Sequence, residues 1–175
     1  MSTKFKEIFE ATQAALRQTS AQSEVWYETQ TRLGAGVDST ASVRQFSVRV
    51  DEPDGLGGLD TAPSPVEYIL VALGSCQEIT YRLYADALGI PLNGVSVKLK
   101  ALLDLRGFFA VDETVKPGFQ YIEATVTFDS PASEDDLRRL KDTVDQHCPV
   151  LDILRNPLPV SIAAGKHQAA AHAAA

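Results

Sequence analysis

The stretch Ser64-Pro65-Val66-Glu67-Tyr68-Ile69-Leu70-Val71-Ala72-Leu73-Gly74-Ser75-Cys76 decides how this chain folds. A serine followed by proline, with glutamate three residues on, is a capping box: proline suits the first helical turn, and the two polar side chains satisfy N–H groups that the helix leaves unpaired. The helix so opened is expected to run to about Leu88 and to stop at Gly89. From Ile69 to Leu73 every residue is apolar. With no polar face for water, that portion is expected to be buried on all sides, which makes this a central helix.

Upstream of the capping box, Asp51-Glu52-Pro53-Asp54-Gly55-Leu56-Gly57-Gly58-Leu59-Asp60 reads as a loop, since glycine and proline punctuate it throughout. Its glycines do not form a phosphate cradle, because no Gly-x4-Gly-Lys pattern is present. Gln45 to Val50 alternates, with Phe46, Val48 and Val50 on one face. Glu24 to Leu33 is rich in aromatic and β-branched residues, and Gly34 to Asp38 offers turn chemistry, so a β-hairpin is expected here. Phe5, Ile8, Phe9, Ala15 and Leu16 recur at helical spacing and predict an amphipathic helix from Lys4 to Gln18, interrupted in its stripe by Thr12.

Downstream, Val95 to Leu103 begins with clean alternation and reads as a strand. Phe119 to Phe128 is a second, with Ile122, Ala124, Val126 and Phe128 on one face and Tyr121, Glu123, Thr125 and Thr127 on the other. Ser133-Glu134-Asp135-Asp136 opens a helix with acids in its first turn, where the helix dipole favours them; it is expected to end near His147. Cys148-Pro149 then opens a short helix, Val150 to Leu154, and Leu158 to Ile162 reads as a last strand. Helices and strands do not alternate regularly, so the class is α+β rather than a Rossmann or TIM repeat. The expected organisation is an N-terminal helical extension over 1–22, one domain over 23–163 and a low-complexity alanine-rich tail over 164–175.

At 175 residues the chain suits one domain with a substantial core. A net charge of −7 lacks the basic footprint that nucleic acid requires, and no run approaches the ~18 apolar residues of a membrane span. The N-terminal lysines are followed by no apolar core of a signal peptide, and two cysteines are too few for a disulfide scaffold. The expectation is a cytoplasmic protein with reduced thiols, binding neither nucleic acid nor membrane.

Those thiols, Cys76 and Cys148, stand 72 positions apart, far outside any CxxC spacing. A thiol is nucleophilic as thiolate, which a cation, a helix N-terminus or hydrogen-bond donors stabilise. Cys148 has one such device locally, since with Pro149 at the first helical position it becomes the N-cap of the short helix. Cys76 lies about twelve residues into its helix, beyond the dipole's reach, and needs a basic side chain from elsewhere. Two buried, inert cysteines are the bland alternative. A zinc site from Cys76, Cys148 and His147 lacks a fourth ligand, and a Cys–His hydrolytic pair is disfavoured because His147 and Cys148 are neighbours in sequence. His147 reads as a helix-end residue complementing the dipole. No cofactor or metal is called for.

Ala62-Pro63-Ser64-Pro65 ahead of an apolar helix reaching Gly74-Ser75-Cys76, with His147-Cys148-Pro149-Val150 and a closing strand later, resembles the OsmC/Ohr superfamily from about Trp26 to Ala163. Asp104-Leu105-Arg106-Gly107-Phe108-Phe109 and the glycine-rich loop look more like an OsmC-like subgroup than like Ohr itself. The resemblance implies an intertwined homodimer, with two long central helices wrapped by β-sheets of both subunits. It also implies thiol peroxidase chemistry on organic hydroperoxides. Cys76 would attack the peroxide, Cys148 would resolve the sulfenic acid as a disulfide, and a dithiol or a lipoylated protein would reduce it. By the same resemblance the activating arginine is Arg49, with Arg44 second. The family's glutamate directly follows the helix-starting proline, where this chain has Val66. Glu67 is rotated from that position by about 100° and is better explained by the capping box. Glu78, turned away from Cys76 by about 200°, reads as an acid seeking a buried or interface partner. That departure supports an alternative: an OsmC-fold redox sensor or small-molecule-binding protein with little turnover.

Overall fold

The computed structural model describes residues 4–19 and 23–165; most of the alanine-rich tail lies outside the described residues. The elements are α1 (Lys4–Gln18), β1 (Gln30–Leu33), β2 (Ser39–Val43), β3 (Phe46–Val50), α2 (Pro65–Leu88), β4 (Gly94–Leu103), α3 (Leu105–Phe108), β5 (Phe119–Asp129), α4 (Glu134–His147) and α5 (Pro149–Arg155). The class is α+β.

Helix α2 begins and ends where capping chemistry places it. The Glu67 carboxylate accepts from both the backbone N–H of Ser64 (2.8 Å) and its hydroxyl (2.9 Å). At the other end Gly89 takes a left-handed conformation, φ 69°, and its N–H closes on the last carbonyls. Between them α2 lies against β4, α4, α5 and α1. Gly74 marks the closest approach to β4: a Cβ there would sit 3.0 Å from the Leu99 side chain. Tyr81, Ala85, Ile90, Leu92, Leu140, Val144 and Cys148 form the buried core, and Phe128 meets the Tyr81 ring edge-on at 5.1 Å. The N-terminal helix packs on the body, where Phe9 contacts Tyr84, also at 5.1 Å between centroids.

Strands β4 and β5 pair antiparallel from Gly94↔Asp129 to Leu102↔Tyr121, with a bulge between Leu102 and Leu103. Strands β1, β2 and β3 make a separate antiparallel sheet in that order.

The structure corrects four sequence expectations. First, the hairpin is a three-stranded meander. Residues 24–29 hold no regular structure, and β2 supplies a strand that was not expected. Its turn into β3 carries Arg44 at φ 52°, a conformation usually betrayed by glycine or asparagine; here the guanidinium lies over the Phe46 ring at 5.1 Å. Second, the 69–73 portion of α2 is not buried on all sides: Val71 is 56% exposed, as Ile79 further along the helix is at 62%. With Ser75 between them they form one stripe at four-residue spacing, over which nothing packs among the described residues. Third, Leu158 to Ile162 pairs with no strand among the described residues, and Ile162 is 90% exposed. Alternating side chains suit a strand, but a ladder needs an edge to bond to. Fourth, the short helix starts at Pro149 and runs to Arg155, slightly beyond the span read from sequence.

Candidate thiol site

The structure brings Cys76 and Cys148 together, with Sγ atoms 3.4 Å apart and both thiols free. Two helices achieve this. Cys76 projects from the middle of α2 towards the core. Cys148 sits between α4 and α5, where the following proline drives it out of helical geometry into φ −79°, ψ 110°. Its N–H donates to the Val144 carbonyl at 2.9 Å, and its carbonyl accepts from the Asp152 N–H at 3.0 Å, so the backbone is held from both helices.

The two sulfurs differ in access. Cys148 is 1% exposed, whereas Cys76 is half-buried. Burial pushes the Cys148 thiol above its ordinary pKa; the N–H groups of Leu151 and Val150 pull the other way, and the adjacent Cys76 pushes up again. The N-cap position thus supplies the expected donors, but desolvation outweighs them. His147 is a helix-end residue: its Nδ1 lies 2.8 Å from the Thr143 carbonyl, which only accepts, so Nδ1 carries the proton. The imidazole lies against the Tyr84 ring, tilted by 43° with centroids 5.1 Å apart. Tyr81, buried beside Cys148 in the core, has a hydroxyl without a hydrogen-bond partner among the described residues. Among the described residues no three histidine, cysteine or carboxylate side chains are grouped to hold a metal ion.

Arg49 is placed elsewhere. Its Nη2 donates to the Thr61 hydroxyl (3.1 Å), which in turn donates to Asp51 Oδ2 (2.8 Å). The backbone carbonyl of Arg49 accepts from the Tyr68 hydroxyl at 2.7 Å, tying β3 to the first turns of α2. Eight residues of helix, about 12 Å of rise, separate Tyr68 from Cys76. Arg44 is occupied at the β2–β3 turn. Glu67 belongs to the cap, and hydrogen bonds from Ser64 hold its carboxyl below the usual range. Glu78 accepts from the Val97 N–H (3.2 Å), giving that β4 amide a partner.

Asp51 was read only as the start of a loop, yet it organises the entry to α2. It is buried and accepts from the N–H groups of Glu52, Leu59 and Thr61 as well as the Thr61 hydroxyl. Those bonds, the Thr61 backbone first, lower its pKa to about 2. The available signal was an aspartate opening a glycine- and proline-rich loop, the residue type that caps its own backbone.

A cleft of about 570 Å³ opens beside the central helix, between α2, β5, α4 and α5. Ile69, Leu73 and Gln77 of α2 line it, but neither cysteine does. Among the described residues no helix is long and apolar enough to cross a membrane.

Solved structures share this architecture. An OsmC-like protein from Mycoplasma pneumoniae superposes with a TM-score of 0.68 at 21% identity, over 77% of this chain and 90% of its own. An organic hydroperoxide resistance protein OsmC from Legionella pneumophila gives 0.59 at 18% identity, over 75% and 92%. An organic hydroperoxide resistance protein from Elizabethkingia anophelis gives 0.59 at 17%, over 77% and 92%. No curated protein matches the chain. The family model described as OsmC-like protein matches residues 57–163, a span that holds α2, both cysteines and the whole β4–β5 sheet, and the chain belongs to that family.

Proposed function

We propose that the protein is a thiol-dependent peroxidase that reduces organic hydroperoxides. The observation that carries the reading is the 3.4 Å separation of Cys76 and Cys148, two free thiols brought together from positions 72 apart. Access assigns their roles: the half-buried Cys76 meets the peroxide, and the buried Cys148 resolves. The Cys76 thiolate attacks the terminal oxygen; the O–O bond breaks, an S–O bond forms, and the alkoxide leaves as alcohol after taking a proton. The Cys148 thiolate then attacks the Cys76 sulfur, forming S–S and releasing the oxygen as water. An external dithiol, such as a lipoylated protein, takes the oxidation by thiol–disulfide exchange. Solved structures of organic hydroperoxide resistance proteins share the fold and support this class of substrate.

The functional unit in this reading is an intertwined homodimer with two long central helices. Its support is surface left bare: the Val71–Ile79 stripe of α2, a two-stranded β4–β5 sheet, and Trp26 and Tyr27 at 99% and 91% exposure. Two strands alone make a poor sheet, and apolar surface on this scale marks an interface. Arg49 of the first sheet serves Cys76 across that interface in this reading, since within its own chain it donates to Thr61. A cytoplasmic location goes with this reading, because the chemistry needs thiols that are reduced at rest.

The test is reductant-dependent consumption of cumene hydroperoxide. Wild type turns over; Cys76→Ser does not; Cys148→Ser stops at a sulfenic acid that dimedone traps. A folded wild type no faster than Cys76→Ser would overturn the enzyme. A redox sensor is the second reading, favoured by Val66 at the family's glutamate position and by the raised Cys148 pKa. After a sub-stoichiometric peroxide pulse, a sensor accumulates disulfide once and slowly, whereas an enzyme given a dithiol returns to free thiols.

A further inference from the structure

Among the described residues one buried side-chain polar atom lacks a hydrogen-bond partner, the Tyr81 hydroxyl. Tyr81 is 0% exposed and shares the core with Leu140, Val144 and Cys148. Burying a hydroxyl that bonds nothing destabilises the resting fold, and such a group points to a state in which an acceptor appears. Its core neighbours Ala85, Ile90, Leu92, Leu140 and Val144 carry no side-chain acceptor, whereas Cys148 can become one. At rest the Cys148 thiol is turned to the Cys76 sulfur, and a neutral thiol is a weak acceptor. A thiolate is a strong one. Burial first, then the charges of Asp145 and Cys148, push the Tyr81 phenol well above its ordinary pKa, so it keeps its proton and remains a donor, and Cys148 lies close enough for its charge to be felt there. The other titratable groups around the pair are Cys76 and Tyr84 of α2, Asp142, Asp145 and His147 of α4, and Asp152 of α5. Asp145 is engaged by Lys141 and Arg155, His147 by Thr143 and Asp152 by Asn156. Strands β4 and β5 add only Val95, Val126 and Phe128 to this core.

We propose that the Tyr81 hydroxyl is the donor that stabilises Cys148 as a thiolate while it resolves the Cys76 sulfenic acid, a role that rests on the peroxidase reading. Cys148 gives up its proton and its sulfur attacks the Cys76 sulfur. The S–S bond forms, the S–O bond breaks, and the oxygen leaves as water with that proton. Tyr81 donates to the Cys148 sulfur throughout and transfers no proton of its own. The hydrogen bond is stronger to the thiolate than to the thiol before it or the disulfide after it, so it lowers the barrier and not the resting state. It acts again on reduction: a dithiol attacks the accessible Cys76 sulfur, and Cys148 leaves as the stabilised thiolate.

Rapid-quench mass spectrometry after one equivalent of cumene hydroperoxide separates the two chemical steps. Tyr81→Phe should form the Cys76 sulfenic acid at the wild-type rate but convert it to disulfide about tenfold more slowly at pH 7, the worth of one hydrogen bond to a charged group. The pH profile of that second step should move up by about one unit. The reduced variant should be at least as stable as wild type in urea, because an unpartnered hydroxyl has been removed. Carbon NMR of Cβ-labelled cysteine in the Cys76→Ala background reads the Cys148 pKa with no peroxide present, and adding Tyr81→Phe should raise it by about one unit. Equal resolution rates overturn the proposal. An unchanged Cys148 pKa overturns it too and assigns the hydroxyl to Asp145, and so does a clear loss of stability in Tyr81→Phe, which would mean that the hydroxyl is already bonded at rest. A wild type that forms no sulfenic acid while the NMR shift is present overturns the peroxidase reading instead and leaves the Tyr81–Cys148 bond standing.

Discussion

The two stretches of the central helix that matter most, its entry and its middle, are built on opposite electrostatic terms. At the entry, Arg49, Thr61 and Asp51 form one polar cluster and Ser64 and Glu67 a second, each carboxylate accepts more than one hydrogen bond, and both carboxylate pKa values fall. In the middle, Cys76 and Cys148 face each other among Tyr81, Leu140 and Val144, and burial pushes the Cys148 thiol up. Donors outweigh burial at the loop carboxylates, whereas at Cys148 burial outweighs the Leu151 and Val150 N–H groups. The chain therefore holds its thiols close but keeps the buried one protonated at rest.

The largest expected effect tests whether the middle does chemistry at all: Cys76→Ser should reduce reductant-dependent peroxide turnover to background while circular dichroism is unchanged. Next, Leu140→Ala removes a fully buried side chain beside the thiols and should cost about 2–5 kcal/mol in urea denaturation. A smaller loss would mean that the middle is looser than its burial indicates.

At the entry, Asp51 is ionised more easily folded than unfolded, at about 2 against an ordinary 3.8. Its contribution is thus present above about pH 4 and lost as pH falls through about 2. Asp51→Asn should lower the melting temperature at neutral pH and flatten the acid limb of the stability curve between those limits. The middle responds in the opposite sense. The Cys148 pKa is raised from 9.0, so its contribution is full below pH 9 and is lost as pH rises through the higher folded value. Cys148→Ala should flatten the alkaline limb and leave the acid limb alone. Smallest is Ser64→Ala, expected to cost about 1 kcal/mol through the helix cap.

Much of this architecture is legible in the sequence because it depends on local chemistry. Ser64 to Glu67 and Gly89 bound α2, Ser133 starts α4, and Pro149 breaks the chain after His147, each through groups within a few residues. Alternation marks β4 and β5 for the same reason. Where local signals mislead, a distant partner is missing or present. Leu158 to Ile162 has strand composition but no edge to join among the described residues. Asp51 looks like any loop acid until the Leu59 and Thr61 amides close around it.

The sequence by itself determined the α+β class, the limits of the central helix and the two thiols as the residues to watch. Capping and periodicity are properties of neighbours along the chain, so they can be read without folding it. Only the tertiary structure decided that Cys76 and Cys148 meet at 3.4 Å, that Arg49 is held at Thr61, and that a cleft with Gln77 and Arg155 lies beside them. The thiol contact and the cleft depend on how α2, α4 and α5 pack, and the Arg49 contact on how β3 meets the 51–61 loop; packing is set by surfaces apart in sequence.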